Sequence, residues 1–225
     1  MPDRFTWTLG VICVGLFLLV SFWLSPGSLV EPLSTPEIDS YLERIDGQLA
    51  LPAAEANELL ARLRGWAEAD DGAPAFMLNL MRYRQQLAAV NPADGGDTPQ
   101  ALNERYEAAV RPIILRHGGY PILGGSVPGE SLLSLPGLER WDRVAVVRYP
   151  NRRAFLDMIS DSDYAGLESM KTSAMEVLLV PFSAAVVLPD LRWPAGVVLL
   201  AVFLITGWWR SGRRASPRTA MEGLA

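Results

Sequence analysis

Cysteine is almost missing from this chain of 225 residues, where Cys13 stands alone. No intrachain disulfide can form, and no thiol outside the first apolar run is available as nucleophile or metal ligand. Histidine is as scarce, with only His117, so a zinc site would lack nitrogen and sulfur ligands and no metal is expected. Phosphate-binding and hydrolase signatures are missing too. There is no GxxxxGKS/T, no GxGxxG and no HExxH, and GGSVP at 124–128 lacks the last Gly of GxSxG. The Gly118-Gly119 and Gly124-Gly125 pairs flank a strand pattern instead of opening a helix. No dedicated cofactor is expected. An excess of positive charge is also lacking: the formal net charge is −5, and residues 25–192 hold 15 Lys and Arg against 23 Asp and Glu. Such an acidic block repels nucleic acid and anionic headgroups, which excludes a nucleic-acid role.

What the chain does have is two long apolar runs, one at each end. Trp7 to Leu24 and Trp193 to Trp209 contain no charged residue. At ~1.5 Å per residue each run spans about 25–27 Å, slightly less than a hydrocarbon core of ~30 Å, with Trp7, Trp23, Trp193, Trp208 and Trp209 suited to the interfaces. The second run could be a buried core helix, but it lacks the polar stripe that such a helix shows. The first could pass for a signal peptide, but SFWLSPGSLV offers no small-x-small cleavage site, so it reads as a retained anchor. Arg210, Arg213, Arg214 and Arg218 follow the second run, whereas the inner flanks are mainly acidic. By the positive-inside rule the termini are cytoplasmic and the central domain lies in the periplasm, or outside the cytoplasm. The expected layout is a cytoplasmic N-terminus (1–6), a span (7–24), a linker (25–36), a helical segment (37–72), a folded domain (73–183), a linker (184–192), a span (193–209) and a basic tail (210–225).

Within the central block, Ile38, Leu42 and Ile45 indicate one short helix. Leu59, Leu63 and Trp66 indicate a second that starts near Pro52 and ends at Gly72-Ala73-Pro74. Phe76 to Arg84 alternates as a strand, with Phe76, Leu78 and Leu80 on one face and Met77, Asn79, Met81 and Tyr83 on the other. Asn91 to Pro99 reads as a loop, and Thr98-Pro99 then caps a helix carrying Leu102, Tyr106, Val110 and Ile113, with a kink or break expected at Pro112. Tyr120 to Leu123 and Trp141 to Tyr149 are strand candidates. Asn151 caps a helix with Phe155 and Met158, a further helical piece runs from about Asp163 to Ala174, and Glu176 to Phe182 is the last strand. The order strand-helix-strand-strand-helix-strand is the split βαβ, ferredoxin-like arrangement. Its helices cover one sheet face only, so the other apolar face of the first strand calls for a second copy, closing a two-chain barrel.

FMLNLMRYR, Tyr106, HGGYPILGG and WDRVAVVRYPNRRAFLDMISDSDY, in that order over about 73–182, resemble the small dimeric α+β-barrel family catalogued as domain of unknown function thirteen-thirty. The resemblance implies a homodimeric ferredoxin-like fold without a characterised activity. Structural relatives of that family include cofactor-free monooxygenases, haem-degrading enzymes and non-catalytic modules. The two spans and the helical segment before Ala73 depart from its short members.

The fold class expected is therefore α+β: a ferredoxin-like βαββαβ domain of dimeric barrel type, with an extra N-terminal helical segment, between two transmembrane helices. Asn79 stands out as a polar group on an apolar strand face expected to line the barrel, where its amide needs partners. Trp141 and Arg143, with Tyr83 and Tyr106, are candidates to wall a pocket for a flat or anionic molecule. His117 is either a general base or a residue that favours the dipole at a helix end. Asp161-Ser162-Asp163 reads as a turn and cap. The leading functional expectation is a membrane-anchored module that binds a small molecule or a membrane-protein partner. The alternatives are a cofactor-independent oxygenase or isomerase, and a structural tether in an envelope assembly.

Overall fold

In a computed structural model of the chain, the residues described are 4–24, 31–49, 51–88, 98–133, 135–184 and 192–214. The expected loop over 91–97, much of both linkers and the end of the basic tail lie outside them. The chain divides into two compact units, Met1–Leu24 with Val186–Ala225, and Ser25–Ala185.

The first unit is a helical pair, α1 (Arg4–Leu24) and α7 (Arg192–Arg214). Both helices are long and apolar enough to cross a bilayer. α1 has 21 residues, about 31 Å at ~1.5 Å rise, which is longer than its uncharged run implied. The contacts Gly10 with Phe203, Phe17 with Gly196 and Arg210 over the Phe5 ring make the pair antiparallel. A Cβ on Gly196 would stand 3.1 Å from the Phe17 ring, so the bare backbone there lets the helices approach.

The second unit is built on four strands, β1 (Ala75–Tyr83), β2 (Tyr120–Ser126), β3 (Arg143–Tyr149) and β4 (Met175–Phe182). They form one antiparallel sheet in the order β2-β3-β1-β4. The helices are α2 (Thr35–Asp46), α3 (Ala53–Glu68), α4 (Pro99–Arg116), α5 (Arg152–Ile159) and α6 (Leu167–Ala174). The element order from β1 to β4 is the expected one, in a mixed α+β fold. β2 runs on to Ser126 with a register shift between Pro121 and Leu123. α4 passes through Pro112 unbroken.

Thr98 Oγ1 accepts from Ala101 N at 3.2 Å and Asn151 Oδ1 from Ala154 N at 2.9 Å, so α4 and α5 begin where their caps stand. α2 begins two residues earlier than expected, because Glu37 reaches back to Ser34 N and Oγ at 2.9 and 2.7 Å.

The register decides the layers. Met77 packs with Ile113, Tyr149, Phe155 and Met158, and Met81 with Leu102, Ala174 and Met175. The Met77/Asn79/Met81 face of β1 is thus the helix side. This corrects the expectation that Asn79 lines a barrel interior. The opposite face carries Phe76, Leu78 and Leu80, with Leu178, Val180 and Phe182 paired beside them. None of the three apolar clusters among the described residues draws on that face. α2 and α3 form a third layer: Ile38, Tyr41, Leu42, Ile45 and Ala67 surround Leu156 of α5, and Trp66 meets Phe155 edge-on at 5.5 Å.

Candidate functional site

Between the helix side of the sheet and α4–α6 lies a cavity of about 330 Å³. Its walls are mostly apolar, with Met77, Met81, Val110, Phe155 and Met158 among them. The polar groups are Asn79 of β1, Asn103, Tyr106, Glu107 and Arg111 of α4, Arg143 and Tyr149 of β3, Tyr164 before α6 and Lys171 on it.

Asn79 sits at the middle of β1, paired with Ala145 on one side and Leu179 on the other. Its Nδ2 donates to Met77 O at 3.1 Å, which turns Oδ1 toward α6, where it accepts from Lys171 Nζ at 2.7 Å. The Lys171 ammonium also lies 5.6 Å from the centre of the Tyr106 ring. Burial pulls this ammonium from 10.5 down to about 8, and the carboxylates of Glu168 and Glu107 offset part of that shift. Burial likewise raises the Glu168 carboxyl. Burial pushes Tyr106 well above the ordinary phenol range and Tyr164 up to about 12. Both hydroxyls are therefore neutral donors at physiological pH.

One turn before Tyr106, Asn103 is fully buried (0% exposed). Its Nδ2 donates to Glu107 Oε1 at 3.0 Å and lies 3.5 Å from the Tyr83 hydroxyl. Glu107 Oε1 also pairs with Arg143 Nη2 at 2.7 Å. Two buried atoms of this group have no partner among the described residues: Asn103 Oδ1, an acceptor, and Arg143 Nε, a donor. Buried polar atoms are ordinarily satisfied, and each one left over costs on the order of 1–3 kcal/mol. An acceptor and a donor left over in the walls of one cavity define a polar end for whatever binds there.

No family model matches the chain, and no curated protein does. Among solved structures it is similar to a protein of unknown function from Rhodopseudomonas palustris, at 27% identity over 58% of this chain and 94% of that one, with a TM-score of 0.49. The methylated form of that protein aligns at 28% identity over 59% and 93%, also with a TM-score of 0.49. SnoaB, a cofactor-independent oxygenase from Streptomyces nogalater, aligns at 13% identity over 52% of this chain and 99% of that one, with a TM-score of 0.33.

Of the residues picked from sequence, Asn79, Tyr106 and Arg143 converge on the cavity, and Tyr83 reaches it through Asn103. Trp141 does not. It precedes β3, donates Nε1–H to Leu138 O at 3.1 Å and lies 6.0 Å from the Arg82 guanidinium. Strand pairing starts only at Arg143, so Trp141 lies outside the strand that carries Arg143 to the cavity. His117 is also elsewhere. It caps the end of α4, its Nε2 2.8 Å from Asp161 Oδ2, and this bond holds the Asp161 carboxyl below its usual range. Asp161 Oδ1 accepts from Asp163 N at 2.9 Å, and Arg116 joins both carboxylates, so the trio forms a turn and cap. No group of three or more His, Cys, Asp or Glu among the described residues is placed to hold a metal.

Sequence reasoning missed Lys171, Asn103 and Glu107. For Lys171 a signal was present: it is the only lysine among the 20 Lys and Arg residues of the chain. Asn103 and Glu107 lie on a surface-like helix pattern, and only the packing of α4 on the sheet buries the first of them.

Proposed function

We propose that this chain is a membrane-anchored, homodimeric module of ferredoxin-like type that binds a small molecule between its sheet and helices. The observation that carries the reading is the pair of buried, unpartnered atoms, Asn103 Oδ1 and Arg143 Nε, in the wall of the 330 Å³ cavity that also holds Asn79 and Lys171. The volume lies at the small end of the ~300–1,000 Å³ range for ligand sites, and a few converging polar groups on apolar walls fit that use. The ligand is mostly apolar with one polar end.

The dimer is supported by the second face of the sheet. Leu178, Val180 and Phe182 remain 37–40% exposed there beside Leu78 and Leu80, a row that a second copy would cover. The resemblance to the dimeric barrel family points the same way. Anchoring is supported by α1 and α7, and the arginines after Trp209 favour cytoplasmic termini with the acidic domain outside the cytoplasm. Of the five residues that the oxygenase or isomerase reading enlists, Asn79, Tyr106 and Arg143 line the cavity, whereas Trp141 and His117 lie outside it.

Gentle detergent extraction followed by native mass spectrometry tests the binding reading. The expected result is a dimer carrying a small molecule that dissociates on collisional activation. Arg143→Met, which removes the unpartnered donor, should lose that mass while the dimer persists. Retention of the same ligand by Arg143→Met would refute the placement. Protease added to spheroplasts should cut the central domain, and protection of that domain would reverse the topology.

A further inference from the structure

Wherever this chain needs a fixed positive charge it uses arginine, and its one lysine is in the cavity. The difference is chemical. A guanidinium stays protonated throughout the physiological range and carries no usable lone pair, whereas an amine can lose its proton and attack carbon. Lys171 is also held in a way that suits attack. It has no carboxylate within ion-pairing distance among the described residues, and its hydrogen bond goes to the neutral amide oxygen Asn79 Oδ1, at 2.7 Å. A neutral amine can keep that bond with one N–H and still have its lone pair free.

We propose that Lys171 is a nucleophilic amine that captures a small, mostly apolar aldehyde or ketone in this cavity as an imine. The inference rests on the reading of the cavity as a ligand site and goes beyond it in naming the reactive atom and the substrate class. The Nζ lone pair forms the new C–N bond as the carbonyl π bond breaks onto oxygen. The nitrogen gives up one proton and the oxygen gains one, which produces a carbinolamine. The C–O bond then breaks, the oxygen leaves as water with the second nitrogen proton, and a C=N bond remains. The condensation consumes no oxidant or reductant.

The surroundings match these steps. Glu168 lies one turn before Lys171 on α6, and burial raises its carboxyl, which suits it to passing protons. Glu107 on α4 is tied to Arg143 of β3, and Tyr106 and Tyr164 present neutral hydroxyls. With the ammonium brought down to about 8, about a tenth of Lys171 is neutral at pH 7, against roughly one in 3,000 for an unperturbed lysine. Met77, Met81 and Phe155 line the cavity with apolar surface, against which a mostly apolar carbonyl compound can pack.

The test is reductive trapping on the full-length protein in detergent, with benzaldehyde as the carbonyl probe, cyanoborohydride as the reductant and peptide mass spectrometry as the readout. The absence of other lysines leaves the α-amino group as an internal reference. Lys171 should acquire a benzyl group at pH 7 on the order of 100-fold faster than a free lysine amide, with a pH midpoint near 8. Lys171→Arg, which keeps the cation, should abolish the adduct. Benzyl alcohol, which cannot form an imine, should raise the melting temperature of both proteins. Trapping confined to the α-amino group, or Lys171 labelling no faster than the free amide, overturns the proposal. If benzyl alcohol still stabilises the protein in that case, the cavity stands as a ligand site and only the imine chemistry falls. If it does not, both readings fall.

Discussion

Replacing Leu156 by alanine probes whether the helical layer ahead of the sheet belongs to the same folding unit. Leu156 is 0% exposed and is the only residue outside α2 and α3 in the buried cluster formed with Ile38, Tyr41, Leu42, Ile45 and Ala67. Its neighbours Phe155 and Met158 point the other way, toward Met77 and Tyr149. α5 is therefore a hinge pin between two apolar layers. The space left by truncation will not collapse readily, because polar contacts fix the layers around it. Tyr41 Oη donates to Asp157 Oδ1 at 2.5 Å, Gln48 Nε2 to Ser160 O at 3.2 Å, and Arg153 to Glu37. Buried Leu→Ala changes cost ~2.7–5 kcal/mol, more where the site cannot relax, so about 3–4 kcal/mol is expected here. For a domain of this size ~1 kcal/mol shifts Tm by ~2–4 °C, which gives a drop of roughly 6–16 °C. Thermal unfolding of the detergent-solubilised protein by near-ultraviolet circular dichroism measures it, with Leu133→Ala, 95% exposed, as the control expected to change almost nothing. A drop under about 2 °C for Leu156→Ala would refute the reasoning, because α2 and α3 would then unfold independently of the sheet.

Other consequences are open to measurement. The Arg153 guanidinium and Ser34 hold the Glu37 carboxyl down to about 2, so its contribution is complete above the unfolded value of 4.5 and is lost as pH falls toward 2; Glu37→Gln should flatten that part of an acid titration followed by far-ultraviolet circular dichroism. Lys171 works in the opposite direction. Its folded value of about 8 lies below the unfolded 10.5, so between these limits the unfolded chain binds more protons and stability rises with pH, a rise that urea titrations should find missing in Lys171→Met. Val180→Asp puts a carboxylate on the sheet face between Leu78 and its own strand neighbours, and light scattering should show the detergent-corrected mass halved while the circular dichroism spectrum is kept.

The amino-acid pattern determined a great deal of this protein. Apolar runs free of charge defined α1 and α7, because length and composition alone decide whether a helix can cross a bilayer. Side-chain caps set the starts of α4 and α5, since Thr98 and Asn151 act within three residues of themselves. The alternation in β1 and the order of elements yielded the βαββαβ chain path. The face of β1 that meets the helices was beyond that kind of reasoning: both faces are apolar, and only the docking of Ile113, Phe155 and Met158 on Met77 distinguishes them. The site was out of reach for the same reason. Asn79 and Lys171 are 92 residues apart and meet because β4 pairs with β1, which carries the end of α6 over the centre of the sheet. Local periodicity reports which side of its own helix a residue occupies. What a side chain faces across the core is decided by register and layer packing, and there the lone lysine meets the buried amide.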